Sequence, residues 1–126
     1  MLDTNLDVEK LKKLQFKIMK DVAASALIPL MRIGDQLGLF QKLSALGPIT
    51  SKKFAEEAKV DERYLREWLY ALSATDFVSY DGEKEEFSLS PEQKAVFADE
   101  EGPANMLGAY EVLACLLYTS PSPRDT

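Results

Sequence analysis

Histidine is absent from this chain and cysteine occurs once, at Cys115. Without imidazole, histidine-based metal sites and histidine-driven acid–base catalysis are excluded, and a single thiol cannot build an intrachain disulfide framework. Long apolar runs are missing too. The stretches around Val22 to Met31 and Met106 to Tyr118 are too short for a membrane helix or carry an acid such as Glu111, against the ~20 apolar residues a span requires. The amino terminus sets acids beside Lys10, Lys12 and Lys13 in an amphipathic pattern, which is not the basic-then-apolar order of a secretory signal. A cytoplasmic chain without a membrane partner is expected. Positive charge is in the minority, with 15 basic against 21 acidic residues and a net charge of -6. Such a chain repels polyanions, so nucleic acid is not an expected partner.

What remains is an ordinary folding composition. With 126 residues, 46% hydrophobic and 29% charged, the chain can bury one core and has no room for a second full domain. After a polar start at Asp3, Thr4 and Asn5, residues Leu11, Leu14, Ile18 and Val22 recur at steps of three or four, the period of an amphipathic helix. A second stripe runs through Leu27, Leu30, Met31, Ile33 and Leu37, with Ala23, Ala24 and Ala26 before it and Pro29 starting or kinking it. The segment from Gly34 to Phe40 reads as a helix end with glycine available for a left-handed cap, Gly34 and Gly38 suiting a helix end and a packing position, followed by a short helix through Leu43 and Leu46 that Gly47 and Pro48 close.

Start signals then become clear. Thr50 suits an N-cap, with Ile49 and Phe54 placed as a hydrophobic staple, and predicts a helix over 51–58. Asp61 repeats the pattern with Val60 and Leu65, and Tyr64, Leu65, Trp68, Leu69 and Leu72 are expected to form the buried face of the next helix. Alternation in Phe77-Val-Ser-Tyr80 and Phe87-Ser-Leu89, on either side of Asp81-Gly82, predicts a hairpin. Helix, helix, hairpin is the order of a winged helix. Ser90 before Pro91 predicts another capped helix through Ala95, Val96 and Phe97, and a last one runs from 105 to about 114 after the break at Gly102 and Pro103. The fold expected is mainly α: a winged helix-turn-helix with a small β-hairpin, preceded by amphipathic helices.

Few residues carry chemistry. No strand leads through a glycine-rich turn into a helix, the arrangement that holds a methyl donor or dinucleotide. Glu56 and Glu57, and Glu83, Glu85 and Glu86, form surface runs with no second cluster to define a metal or acid–base site. Trp68 and Tyr64 could be an aromatic ligand platform, but their spacing favours core positions. A winged helix reads DNA through its second helix and wing. Here that helix opens with Asp61, Glu62, Arg63, Arg66 and Glu67, and the wing tip holds one lysine, Lys84, among acids. Phosphate contacts need lysine and arginine, so these charges argue against DNA. No catalytic, cofactor-binding or metal residue is assigned.

Together Met31-Arg-Ile-Gly-Asp-Gln-Leu-Gly-Leu-Phe40, Gly47-Pro-Ile-Thr50, Ala58-Lys-Val-Asp-Glu-Arg-Tyr-Leu-Arg-Glu-Trp-Leu69, Phe87-Ser-Leu-Ser-Pro-Glu92 and Phe97-Ala-Asp-Glu-Glu-Gly-Pro-Ala104 resemble the amino-terminal region of bacterial-type class I S-adenosylmethionine-dependent methyltransferases with a winged-helix head. The resemblance spans about residues 8 to 114. It implies a following Rossmann-like catalytic domain that binds S-adenosylmethionine, absent from this chain, a small-molecule substrate, and a head that covers the substrate and helps dimerise. Residues 115–125, Cys-Leu-Leu-Tyr-Thr-Ser-Pro-Ser-Pro-Arg-Asp, resemble the conceptual translation of a sequencing adaptor from transposon-based library preparation. The expected organisation is thus helices for dimerisation over 1–46, a winged helix over 47–90, linker helices over 91–114, and an adaptor-derived tail over 115–126. The apolar stripes exceed what a small winged helix can cover, so Leu14, Ile18, Leu27, Leu30, Met31 and Ile33 are the expected homodimer interface. The fragment alone is expected to be inactive. The rival reading is a stand-alone winged-helix transcription regulator that binds DNA.

Overall fold

A computed structural model of the chain describes residues 5–118. Helix α1 spans Val8–Ser25, started by the Asp7 carboxylate, which accepts from the backbone N–H groups of Glu9 and Lys10. It ends where Pro29 dictates, because a proline ring clashes with the carbonyl four residues earlier, here that of Ser25. Ala26 alone separates it from α2, Leu27–Gln36. Pro29 therefore lies in the first turn of α2, where its missing N–H leaves no helical bond unmade. Gly38, at φ 66°, turns the chain into α3, Leu39–Leu46. That left-handed conformation costs other residues roughly 1–2 kcal/mol.

The two helices with the clearest sequence signals form as expected. Helix α4 covers Ser51–Ala58, with the Thr50 side chain accepting from the Lys53 N–H at 3.3 Å. Helix α5 covers Glu62–Ala74, capped by Asp61. Between them Lys59 takes a left-handed conformation that ends α4. The wing is the antiparallel pair β2, Ser79–Asp81, and β3, Glu86–Ser88. A third strand, β1 at Ile49–Thr50, pairs with the other edge of β3, so the sheet order is β1-β3-β2. The first wing strand begins two residues later than its alternation suggested. Helix α6, Pro91–Phe97, carries a complete capping box between Ser90 and Gln93. Gln93 also ties the wing down: its Oε1 accepts from the Ser79 hydroxyl and the Ser90 N–H, and its Nε2 donates to the Asp76 carbonyl.

Helix α7 runs Leu107–Tyr118, starting two residues later and ending four residues later than its expected limits. Its first turn is capped by the Asn105 side chain, and Arg32 of α2 grips Glu111 through two donors at 3.2 and 3.3 Å. Cys115, Leu116 and Leu117 continue the helix with exposed side chains. Residues 1–4, with Asp3 and Thr4, and 119–126, most of the adaptor-like tail, lie outside the described residues.

One core joins these elements. Phe40, Phe54, Phe87, Met31, Leu43, Leu69, Leu72 and Val78 are fully buried, each such side chain contributing roughly 1.5–3 kcal/mol. Gly34 is a packing position: a Cβ there would stand 2.6 Å from both Phe40 Cε2 and Trp68 Cζ2. No described helix is long and apolar enough to cross a membrane.

Candidate functional site

Two surfaces could act: the face on which a winged helix reads DNA, and an apolar groove beside it. On the first, Glu62 occupies the start of α5 and accepts both from the Ser51 hydroxyl at 3.2 Å and from Arg66 Nη1 at 3.3 Å. Arg66 is thus engaged within its own helix. Across a hollow of about 420 Å³ from these residues stands the wing residue Glu85. At the wing tip Asp81 accepts from the N–H groups of Glu83 and Lys84, folding the turn around a carboxylate. Tyr80 packs on Phe87 at 4.7 Å between ring centroids and edge-on to Tyr70 at 5.8 Å. Its hydroxyl is pushed above the ordinary tyrosine range by desolvation, then by its hydrogen bond with Tyr70 and the nearby charges of Glu85 and Asp81. Lys52 also lines the hollow, so this face is of mixed charge with an acidic wing side, which offers a phosphate few unopposed cations.

The second surface is a cavity of about 600 Å³ between α2 and α5, open along one side. Ile33 and Leu37 line it from α2, Tyr64 and Trp68 from α5, while Asp61 and Glu67 sit on its acidic rim. Tyr64 corrects the sequence expectation: it is 74% exposed rather than buried. The apolar residues of α5 cover an arc wider than its core face, and Leu65, Trp68, Leu69 and Leu72 fill that face. Trp68 is in the core as expected, and its indole N–H donates to the Leu30 carbonyl at 2.9 Å. That bond fixes one wall of the groove, and Gly34 permits the close approach.

The six residues expected at a homodimer interface divide. Leu27 and Met31 turn inward and belong to the chain's own core, Met31 at 0% exposure. They are unavailable to a partner, because α2 already packs on α7 and α3. Leu30 is half-buried at the groove, Ile33 is 43% exposed on its lip, and Leu14 and Ile18 are exposed on α1, which has no buried residue. The structure therefore brings Leu30 and Ile33 together at one opening and leaves Leu14 and Ile18 on a separate bare face. The groove itself escaped the sequence reading, since its walls come from segments some thirty residues apart.

Among the described residues no group of three or more Asp, Glu or Cys side chains could hold a metal ion. The described residues also do not fit S-adenosylmethionine. The strands are two or three residues long and antiparallel, and β1 passes straight into α4 through Thr50 without a glycine turn. Gly34 is enclosed by aromatic rings and Gly38 serves a helix junction.

The profile of the Rv2258c-like winged HTH domain matches residues 23–98. No curated protein matches in sequence. Among solved structures, LepI in complex with SAM aligns over 86% of this chain with a TM-score of 0.62 at 17% identity. A single-substitution variant of LepI in complex with SAH and a substrate analogue aligns over 87%, with the same TM-score and 18% identity. The chain spans 28% of the length of each of those proteins. At that identity the likeness establishes the fold.

Proposed function

The chain belongs to the Rv2258c-like winged HTH domain family, and we propose that it is the substrate-cover and dimerisation head of an S-adenosylmethionine-dependent methyltransferase. One observation carries this reading. The shared fold takes up nearly all of this chain but about a quarter of a LepI chain that holds SAM, so the donor site is proposed to lie in a further domain. Two features of this chain support a head rather than a DNA reader: the wing tip is acidic, with Lys84 among Asp81, Glu83, Glu85 and Glu86, and an apolar groove of about 600 Å³ suits a small molecule or another helix. In this reading the head supplies an apolar wall and excludes water from the acceptor, and the catalytic domain supplies donor and chemistry.

The test is calorimetry with S-adenosylmethionine on two proteins: this chain, and the longer product of the uninterrupted gene. Saturable binding to the longer protein alone is expected. Micromolar binding to this chain, or a downstream frame without a strand and glycine-rich turn, contradicts the proposal.

A further inference from the structure

The groove between α2 and α5 is apolar in its bed and negative at its rim. Leu30, Ile33, Leu37 and Trp68 line the bed, and the charged residues of the lining, Asp61 and Glu67, are both acids. They stand on either side of Tyr64 at steps of three along the start of α5, a spacing that brings each beside the next at roughly 5–6 Å between Cβ atoms. Neither acid is neutralised by a basic partner. Asp61 spends Oδ1 on the N–H groups of Arg63 and Tyr64, which leaves Oδ2 for a ligand. Among the described residues Glu67 has no hydrogen-bond or ion-pair partner, whereas Glu62 and Glu111 are each held by an arginine.

An occupant of such a groove buries hydrocarbon against Trp68 and Leu30 while its polar end lies among two carboxylates and the exposed ring of Tyr64. A carboxylate or phosphate end would be repelled there, and a neutral end would strip water from the acids and return little. A protonated amine is attracted by both acids and by the negative face of the tyrosine ring. The volume of about 600 Å³ lies within the roughly 300–1,000 Å³ of pockets that hold small molecules. We propose that the groove binds a small apolar molecule bearing a protonated amine, its hydrocarbon body against Trp68 and its ammonium between Asp61, Tyr64 and Glu67. This goes beyond the role of a methyltransferase head and stands on the groove alone, so the donor calorimetry above and the titration below fail independently.

Trp68 is the only tryptophan in the sequence, so its fluorescence reports on the groove wall directly. The full chain is titrated with octylamine, octanol and octanoate, one hydrocarbon body with a positive, a neutral and a negative end. Octylamine is expected to shift the Trp68 emission saturably and to bind about three- to tenfold more tightly than octanol, as two exposed ion pairs allow, with octanoate weakest. Added salt should narrow the gap by screening. Glu67→Gln, at an exposed position, should retain the fold and the octanol affinity while reducing the preference for the amine about two- to threefold. Asp61 is left in place because it caps α5. Equal binding of the three probes, a gap that Glu67→Gln leaves unchanged, or an emission that no probe moves because a second copy or another surface already fills the groove overturns the proposal.

Discussion

Trp68 lies against Gly34 so closely that a single added carbon on Gly34 would stand 2.6 Å from the indole Cζ2. The same indole donates its N–H to Leu30, one turn earlier in α2, so α5 is held on α2 by a contact that only glycine permits and a hydrogen bond that fixes its rotation. These two features shape the wall of the groove.

Gly34→Ala is therefore expected to destabilise the chain by about 1–3 kcal/mol through overpacking, more than the gain of up to about 1 kcal/mol that alanine brings to a helix interior. The atoms in the way belong to buried rings of Phe40 and Trp68, which cannot swing aside as a flexible side chain would. Urea denaturation measures this. An unchanged or higher midpoint would show that the rings yield freely.

Gln93 joins three parts of the wing region, through the Ser79 hydroxyl, the Ser90 N–H and the Asp76 carbonyl. Gln93→Ala removes half of the capping box and leaves these partners to water, an expected loss of about 1–2 kcal/mol. Hydrogen exchange should show faster opening of β2 and the start of α6, with the α4–α5 pair little changed. Uniform acceleration across the chain would mean that the wing has no local stability of its own.

Tyr110 gives the alkaline limit a sign. Burial raises its pKa above the ordinary value of 10.0, so the folded chain keeps the phenol proton longer than the unfolded one. Stability from this group is intact below pH 10.0 and declines as pH rises above it. Tyr110→Phe should lose less stability than the parent chain between neutral and strongly alkaline pH in parallel melts. Equal losses would show that Tyr110 titrates alike in both states.

The acidic wing tip and the mixed-charge second helix predict the outcome with nucleic acid. Because Arg66 is engaged by Glu62 and the wing carries Lys84 among four acids, no specific complex with duplex DNA is expected at physiological salt. Mobility shifts against a randomised duplex pool check this. Nanomolar binding to one sequence would restore the regulator reading.

Local chemistry made much of the fold legible. Thr50, Asp61 and Ser90 each cap the helix that their sequence neighbours announce, because a cap depends on three or four adjacent residues. Strand β1 was not legible, since two residues acquire strand character only by pairing with β3, Ile49 opposite Phe87. Periodicity marked α2 as amphipathic but not which of its apolar residues are covered: Leu27 and Met31 face inward and Ile33 outward within the same apolar stripe. Tyr64 shares the apolar arc of α5 with Leu65 and Trp68, and three-dimensional crowding alone decides which of them is left outside.

Sedimentation of the full chain across the micromolar range tests the head-and-dimer account most directly. The account predicts a dimer, and predicts that Ile18→Asp with Ile33→Asp, both at exposed positions, gives a monomer whose circular dichroism matches the parent, since charges without partners are strongly disfavoured in an apolar contact. A parent chain that stays monomeric and folded at the highest concentration would contradict it.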